Sequence, residues 1–335
     1  CRLAHPRQLA LACSRYGERV TTSRRSGYVF AALASVVSGM LVATQSRING
    51  ELGLRMGDGA LAALVSFTSG FLILSLALAV SARGRSGVRT LLGELRRGLL
   101  PWWSILGGVG GGFLVLTQGL VAGILGVALF SVAVVAGQTL GAMWLDARGV
   151  AGMARVGMSW QRLAGAALVV VGVVVSVEVW SAANSALSWG FVLPLVAGAG
   201  TGVQQALNGR IRARASSALA ATWVNFGVGT ATLVVVWLAL LPVTGGPDQF
   251  PTDWWLYAGG LVGTLFIPIQ TITVHRIGVL GLGVSLVTGQ ILGSIALDVF
   301  VPVAEGTLGV LTVTGALVTV LGSALVTLGR AQSSG

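Results

Sequence analysis

The residues best suited to binding chemistry are two polar hexads that lie in otherwise apolar segments. The pattern Gln-x-x-(Ile/Leu)-Asn-Gly occurs at residues 45–50 and again at residues 204–209. The Gln and the Asn of each hexad are four residues apart, so they share one face of a helix. Amide side chains donate and accept hydrogen bonds, and lipid offers partners for neither. We therefore expect a small polar molecule to be bound inside the protein by Gln45, Asn49, Gln204, Gln205 and Asn208.

Each hexad also allows a purely structural interpretation. Asn49 and Asn208 both precede a glycine, and Asn and Gly tolerate the left-handed backbone that ends a helix, so each pair could be a helix C-cap. Gln45 and Gln204 lie one turn further inside the helix, where an amide needs polar partners. The binding interpretation is therefore stronger for the two glutamines than for the two asparagines.

A second pair of polar positions lies in the element G-Q-x-L-G-x-x-x-L-D, at residues 137–146 and 289–298. Glycines flank Gln138 and Gln290 in the small-x-x-x-small pattern that lets helices approach closely. The two amides either join neighbouring helices or line a cavity, and we include both in the predicted binding site.

Two acids, Asp146 and Asp298, close this element in its two copies. An acid at a helix end is commonly just solvated. A matched pair could instead gate the two mouths of a transporter, or couple it to protons, by pairing with an Arg. Gln118 and Gln270 are weaker binding candidates. The tryptophan pairs at residues 102–103 and 254–255 are expected to form interfacial belts, not a cation-binding cage.

The composition places these residues in a membrane. Hydrophobic residues make up 54% of the 335-residue chain and charged residues 9%, a balance with too few polar groups to cover a water-soluble domain. A helix of about 20 apolar residues spans a bilayer. Ten such spans are predicted, at residues 28–48, 59–81, 102–121, 124–145, 160–180, 187–208, 217–241, 254–274, 277–299 and 308–328.

The composition also argues against several classes of protein. No lysine occurs, so the chain has no Walker-type phosphate loop to drive transport with ATP. Motifs of hydrolytic enzymes such as G-x-S-x-G and H-E-x-x-H are absent, and we expect no enzyme activity. Two cysteines and two histidines give neither a disulfide framework nor a metal site, and we expect no cofactor. The arginines are scattered over short loops, which favours membrane lipids over nucleic acid as partners.

The hexad recurs because the chain contains an internal repeat. Residues 45–70 align without gaps to residues 204–229, at an offset of 159. Residues 102–118 and 136–146 match residues 254–270 and 288–298, both at an offset of 152. We predict a polar, arginine-rich N-terminal tail at residues 1–26, a first five-helix repeat at 27–182 and a second at 187–330.

Five is an odd number of spans, so a second copy enters the membrane in the opposite orientation. The arginines agree with this inversion. If the N-terminus is cytoplasmic, 19 of the 21 arginines lie on the cytoplasmic side and only Arg47 and Arg55 lie outside. We therefore predict an all-α protein of the inner (plasma) membrane, with ten transmembrane helices in two inverted five-helix repeats and both termini cytoplasmic.

The five-helix halves, the hexad near the end of each first helix and the G-Q-x-L-G-x-x-x-L-D element in each fourth helix resemble the YdcZ-like family of the drug/metabolite transporter (DMT) superfamily. The match covers about residues 27–330 and corresponds to a fused form with two repeats. It implies a DMT/EamA-like bundle with inverted repeats. Small multidrug-resistance members of the superfamily depend on a Glu in the first helix. No acid lies in the middle of either first helix here, which argues against drug-cation antiport.

Three functions follow as hypotheses. The first is a secondary transporter or facilitator of a small polar metabolite, working as a monomer by alternating access, with a dimer left open. The second is a structural or lipid-handling membrane protein, and the third is a channel. A transporter is expected to have a polar cavity bounded by the first, fourth, sixth and ninth spans. The side chains expected to face it are Gln45, Gln138, Gln204 and Gln290.

Overall fold

The computed structural model describes residues 6–148, 157–177, 185–301 and 309–333, and within these ranges the regular elements are helices without strands. In chain order the α-helices are α1 (Pro6–Met56), α2 (Gly59–Val80), α3 (Ala82–Arg96), α4 (Gly107–Thr117), α5 (Gly123–Leu125), α6 (Val127–Arg148), α7 (Trp160–Val177), α8 (Ser185–Ala215), α9 (Ala218–Thr244), α10 (Gly259–Phe300) and α11 (Val310–Ser333). Short 3-10 helices, Trp102–Leu106 and Trp254–Tyr257, precede α4 and α10. A π-helical segment, Gln118–Ala122, joins α4 to α5.

Seven segments of the described chain are long and apolar enough to cross a membrane, and they correspond to seven of the ten predicted spans. These are Val29–Met56, Gly59–Val80, Trp102–Leu125, Val127–Arg148, Ala218–Thr244, Leu282–Phe300 and Val310–Leu328. The predicted fifth span is a shorter apolar helix, Trp160–Ser176. The predicted sixth span lies within α8. The predicted eighth span comprises the 3-10 helix Trp254–Tyr257 and the first part of α10. The described part of the chain is therefore all-helical, with the apolar helices of a multi-pass membrane protein.

The predicted N-terminal tail is helical over most of its length. Helix α1 begins at Pro6, so most of the predicted N-terminal tail continues into the first span as one helix. The predicted junction between the repeats, residues 181–187, lies mostly outside the described residues.

Helix α10 is bent sharply, so that its two halves lie side by side on α1. The Ser38 Oγ donates a hydrogen bond of 3.4 Å to the Phe266 carbonyl oxygen, in the first half of α10. The neighbouring Gly39 contacts the second half of α10. A Cβ added to Gly39 would overlap the Leu286 carbonyl oxygen. Residues 266 and 286 would be about 30 Å apart in a straight helix. Contacts with adjacent residues of α1 rule that out, so residues 259–274 and 277–299 of the predicted eighth and ninth spans lie in the two halves of one bent helix.

The corresponding connection in the first half of the chain is broken. Gly126 has a φ of 79°, a left-handed conformation that costs glycine little, and it separates α5 from α6. Gly278 matches Gly126 at the offset of 152, but the backbone there stays helical. The matched glycine therefore separates two helices in the first repeat and lies inside the bent helix α10 in the second.

Matched helices of the two repeats pack antiparallel, as α7 and α11 show. A Cβ added at Gly165 would lie 2.7 Å from the Gly322 carbonyl oxygen, and one added at Gly172 would lie 2.6 Å from the Gly315 carbonyl oxygen. Gly165 matches Gly315 in the sequence repeat, and Gly172 matches Gly322. Each contact is thus repeated with the two helices exchanged, which is the pattern of a local two-fold axis.

The pair formed by α2 and α9 follows the same rule. Phe67 and Phe226 occupy matched positions, and their rings stack with centroids 4.8 Å apart. Gly70 lies against Phe226, and its match Gly229 lies against Phe67. The stacked phenylalanines therefore lie where the two-fold relation between these helices places its axis.

The two hexad helices, α1 and α8, pack across the repeats in matching ways. Helix α1 packs on both halves of α10, and α8 packs on α4 and α6. A Cβ at Gly289 would overlap the Val36 carbonyl oxygen, and one at the matched Gly137 would overlap that of Leu195, the match of Val36. The glycines predicted to bring helices together therefore do so.

Matched turns start the second helix of each repeat. Gly57 (φ 72°) and its match Ser216 (φ 48°) both have left-handed backbones. The next residue caps the following helix in each case: the Asp58 side chain accepts from the Leu61 N–H, and that of Ser217 accepts from the Ala220 N–H. These turns fix where each hexad helix ends.

Candidate binding site

The two hexads lie inside their helices, not at the ends. Helix α1 continues for seven residues beyond Asn49 to Met56, and α8 continues for seven beyond Asn208 to Ala215. Gly50 is not among the glycines with positive φ, and neither is Gly209. The C-cap interpretation of the asparagines is therefore wrong. The physical reason is that the left-handed turn comes later, at Gly57 and Ser216.

The first hexad packs against two glycines of the second repeat, Gly259 and Gly263, which lie one helical turn apart and which we call a glycine strip. The Gln45 Nε2 donates a hydrogen bond of 3.0 Å to the Gly259 carbonyl oxygen, at the start of α10. A Cβ added one turn further on, at Gly263, would lie 2.6 Å from the same Nε2, and one at Gly259 would overlap the Asn49 Oδ1. Glycine is required here because the two amides occupy the space that side chains would fill.

The second hexad faces a glycine strip in the same way. A Cβ at Gly107 would lie 2.6 Å from the Asn208 Oδ1, and one at Gly111 would lie 2.7 Å from the Gln204 Nε2. Gly107 and Gly111 match Gly259 and Gly263 at the offset of 152. The hexad therefore recurs because each copy packs its amides on the glycine strip of the other repeat.

The two hexads differ in burial. Gln45 is 4% exposed and Asn49 is fully buried, whereas Gln204 and Asn208 are half-buried and Gln205 is exposed. The glycines that end the two hexads, Gly50 and Gly209, also differ in how tightly they are packed. A Cβ at Gly50 would lie 2.6 Å from the Gly123 nitrogen, and one at Gly209 would meet nothing within 4 Å. One hexad is closed by its surroundings and the other is open.

A buried hydrogen-bond network surrounds the first hexad. The Asn49 Nδ2 donates to the Gln118 Oε1 over 2.7 Å, and the Gln118 Nε2 donates to the Ser46 Oγ over 3.1 Å. Gln118, a weaker candidate in the sequence, is thus the central member. The Asn49 Oδ1 and the Ser66 Oγ, both close to Gly259, are buried without a hydrogen-bond partner. Each unpaired buried polar atom costs about 1–3 kcal/mol.

The second hexad borders an open groove. The Asn208 Nδ2 donates to the Asn225 Oδ1 over 3.0 Å, and Asn225 is the match of Ser66. The groove has a volume of about 620 Å³ and runs between α4 and α8. Its walls are apolar side chains and glycines with one amide, formed by Trp103, Leu106, Gly107, Val109, Gly110, Gly200, Val203, Gln204 and Leu207.

The four glutamines expected around one cavity occupy different environments. Gln204 lines the groove, and Gln45 is closed onto Gly259 and Gly263. Gln138 is half-buried. Gln290 is 1% exposed, and its Nε2 has no hydrogen-bond partner. The described residues therefore bring Gln204 to the groove and leave the other three glutamines out of its lining.

The matched acids have different partners. Asp146 forms a buried ion pair with Arg162, with the Arg162 Nη2 2.9 Å from the Asp146 Oδ2. Asp298 accepts backbone hydrogen bonds of 3.1 Å from Val127 and 2.7 Å from Ala128, at the start of α6. The second acid thus caps the helix that follows the break at Gly126. Sequence reasoning anticipated a pairing with Arg but not this capping role.

We call each hexad, together with the turn that follows it and the segment that covers that turn, an end of the protein. The first end comprises the first hexad, the α1–α2 turn and the loop at residues 245–253. That loop covers the turn: the Asp248 N–H donates to the Met56 carbonyl oxygen over 2.9 Å, and the Gln249 Nε2 donates to that of Arg55 over 3.0 Å. An ion pair of 2.8 Å between Arg55 and Asp253 adds a further link.

The second end comprises the second hexad, the α8–α9 turn and helix α3, which covers that turn. The Arg83 Nε donates to the Ser216 carbonyl oxygen over 3.2 Å. Leu91 of α3 is buried with Ile211 and Ala215 of α8. An acidic loop therefore covers the first end, and a basic helix covers the second.

An arginine lies over a tryptophan at each end. The Arg55 guanidinium is 5.8 Å from the Trp255 ring centroid, and that of Arg210 is 4.9 Å from the ring of Trp103, the match of Trp255. Trp102 and Trp254, the first members of the pairs, are 69% and 80% exposed. Their exposure fits the predicted interfacial belt. The second members of the pairs, Trp103 and Trp255, instead stack against Arg210 and Arg55.

Comparison with protein families gives a match over both repeats. The family described as "Putative inner membrane exporter, YdcZ" matches residues 30–175 and again residues 189–325. Its two matches agree with the two repeats predicted from the hexads. No curated protein matches the chain.

A solved structure shares the fold. It is titled "Crystal structure of protein", and it superposes with a TM-score of 0.54 at 18% sequence identity. The alignment covers 92% of this chain and 98% of the other. At this identity the likeness concerns the fold alone.

Proposed function

Since the chain belongs to the family described as "Putative inner membrane exporter, YdcZ", we propose that it is a secondary transporter that moves a small molecule by alternating access between two inverted repeats. The family match and the apolar helices make it a multi-pass transport protein of the inner membrane. The substrate, the mechanism and the orientation in the membrane are the parts that we propose.

The proposed architecture is ten spans in two inverted five-helix repeats. It is supported by the antiparallel contacts of α7 with α11 and of α2 with α9, in which matched residues exchange places. The bend of α10 supplies the eighth and ninth spans. We place both termini in the cytoplasm, because this orientation puts Arg47 and Arg55 alone outside.

The observation that carries the mechanism is the unequal burial of two hexads with the same pattern. In inverted-repeat transporters the repeats adopt different conformations, and exchanging those conformations moves the opening to the other side of the membrane. In the proposed orientation, the first end faces outward and is closed, and the second faces the cytoplasm and is open. We assign this structure to an inward-facing state.

The buried unpaired atoms of the first end support the same proposal. A bundle with only a structural role gains nothing from leaving the Asn49 Oδ1 and the Ser66 Oγ without partners. In the outward-facing state the first end opens, and both atoms reach water or substrate. The free-energy cost of leaving these two atoms unpaired in the closed state then favours opening of the first end.

The groove at Gln204 indicates the substrate class. Trp103, Leu106 and Val203 offer apolar contacts, and the Gln204 amide is the one polar side chain in the lining. We propose a small neutral, zwitterionic or singly charged molecule with an apolar part and at least one hydrogen-bonding group. Gln45, Asn49 and Asn208 contact it as the two ends exchange conformations.

We assign gating to the two acids. The Asp146–Arg162 pair links α6 to the start of α7, and Asp298 links α10 to the start of α6. Thr312 occupies the position that matches Arg162, so an ion pair of this kind can form at Asp146 alone. We expect exchange of the repeat conformations to change the contacts of both acids.

Transport by the purified protein in liposomes tests the proposal. A thermal-shift screen across classes of small molecules identifies ligands, and the flux of each is then measured. We expect saturable flux that is accelerated by ligand on the opposite side. Gln204→Ala should weaken binding about five- to tenfold, the size of one lost hydrogen bond. Gln205→Ala, outside the groove, should have a smaller effect.

Two outcomes would contradict the proposal. Flux that rises linearly with concentration and shows no counter-transport would indicate a channel. Ligand binding without any flux would indicate a structural or lipid-handling role.

A further inference from the structure

Helix α3 has two faces of different chemistry. Its inner face consists of small and apolar residues, Gly84, Gly87 and Leu91, which are buried against α8 and α9. Its outer face carries Arg89 and Arg96, both exposed, and Leu92, which is 49% exposed. The spacing of residues 89, 92 and 96 places the three side chains on one stripe of the helix.

Exposed cations and apolar side chains also follow the end of α3. Arg97 is exposed, Leu99 is 58% exposed and Trp102 is 69% exposed. Exposed apolar side chains therefore occur together with exposed cations along the chain from residue 89 to residue 102. This mixture of Arg, Leu and Trp is typical of a helix that lies in the interface between lipid headgroups and acyl chains.

The position of α3 in the chain requires it to lie at the membrane surface. Helix α2, a candidate membrane span, ends at Val80, and α3 begins at Ala82. The apolar segment that begins at Trp102 returns to the membrane. Helix α3 is therefore held between two spans at the level of the headgroups.

The charge of the outer face is not neutralised within the described part of the protein. The one acid of α3, Glu94, pairs with Arg214 of α8 over 3.5 Å. No ion pair is found for Arg89, Arg96 or Arg97 among the described residues. Three cations without acidic partners, flanked by exposed apolar side chains, complement an anionic phospholipid.

We propose that α3 and the segment up to Trp102 form a binding site for anionic phospholipids of the surrounding leaflet. The three arginines bind the headgroup phosphates, and Leu92, Leu99 and Trp102 insert among the upper acyl chains. The same lipids hold α3 in place, and the inner face of α3 covers the α8–α9 turn. In the proposed orientation the leaflet is the cytoplasmic one.

The site is tested with the purified full-length chain in detergent, by titrating short-chain phosphatidylglycerol and following thermal unfolding. Phosphatidylcholine of the same chain length is the neutral comparison. We expect phosphatidylglycerol to raise the midpoint of unfolding at lower concentration, and added salt to weaken it. Each arginine should contribute about fivefold to the apparent affinity.

Two triple variants separate charge from structure. Replacing the arginines with glutamine, R89Q/R96Q/R97Q, should abolish the preference for the anionic lipid, and R89K/R96K/R97K should retain most of it. Both variants should unfold near the wild-type temperature without lipid, because the three side chains are exposed. This measurement does not depend on transport, so it can fail while the proposed function stands.

Three results would overturn the proposal. The first is an equal response to phosphatidylglycerol and phosphatidylcholine. The second is an unchanged lipid preference in the glutamine variant, which would leave the charged face for an acidic protein partner. The third is binding of free glycerol phosphate as tight as that of phosphatidylglycerol, which would indicate a soluble anion as the ligand.

Discussion

The first and second ends are built from the same sequence pattern and yet differ in almost every measure of accessibility. Both hexads lay a Gln and an Asn on a glycine strip of the other repeat, and both are followed by a left-handed turn and a capped helix. The first is buried beneath an acidic loop, and the second borders an open groove beneath a basic helix. The difference therefore arises in the packing around the hexads and not in the hexads themselves.

Glycines outside the hexads show how the sequence supports this difference. Gly53 and Gly59 both press on the carbonyl group of Gly119, so α1, α2 and the π-helical segment meet without side chains between them. The matched positions of the first two are Arg212 and Ala218. Both matched positions carry a side chain, so the same backbone contact cannot form at the second end. The first end is thus built for tight closure, and the second is not.

The largest expected effect concerns the matched acids. Arg162→Met removes the cation that lies 2.9 Å from the buried Asp146 carboxylate, and we expect a loss of up to about 3–5 kcal/mol in the free energy of unfolding. Thermal unfolding in detergent measures the loss. Arg148→Met, which removes an exposed arginine that lies over Trp144, is the control.

The double variant Arg162→Met/Asp146→Asn should recover most of that stability, because it also removes the buried carboxylate charge that Arg162 pairs with. An unstable double variant together with a stable single variant would show that the ion pair is not what holds α6 to α7.

An intermediate effect is expected at the final glycines of the hexads. Gly50→Ala places a methyl group against the backbone at Gly123 and should cost about 1–3 kcal/mol. Gly209→Ala meets no neighbour and should stabilise α8 by up to about 1 kcal/mol. Thermal unfolding of both variants measures the difference. Equal effects would mean that the two ends are packed alike.

The smallest effect on stability is expected at the cover of the first end. Arg55 and Asp253 have side chains that are 42% and 46% exposed, so Asp253→Asn should change the free energy of unfolding by no more than about 1 kcal/mol. It should nevertheless favour opening of the first end, which is measured as faster labelling of a cysteine at position 45. Arg214→Gln, which breaks the weaker pair at the second end, should change that labelling less than Asp253→Asn does.

Much of this arrangement could be predicted from the sequence, because a duplicated pattern shows which positions are equivalent. The repeat, the polar hexads and the close-packing glycines at 137 and 289 were all accessible in this way. The role of Gln118 was not, since its contact with Asn49 depends on how α4 and the π-helical segment approach α1. Helix α3 was missed because five arginines at residues 83–97 indicate a loop unless the spacing of Gly84, Gly87 and Leu91 is noticed.

Which end is closed could not be predicted either. A repeat makes its two copies equivalent, and a conformational difference between equivalent copies is a property of packing. The asparagines illustrate the limit most clearly, because Asn-Gly indicates a helix end only when the backbone turns there. In both copies the left-handed turn residue, Gly57 or Ser216, comes eight residues after the Asn.

Cysteine accessibility in membrane vesicles tests the central claim most directly. Cys1 and Cys13 are replaced by serine, and Gln45→Cys and Gln204→Cys are labelled separately with a membrane-impermeant thiol reagent applied from each side. We predict that position 204 is labelled rapidly from the cytoplasmic side and position 45 slowly from the outside. Asp253→Asn should speed labelling at position 45 and slow labelling at position 204. Labelling of both positions from the same side, or independent responses of the two positions, would contradict the account.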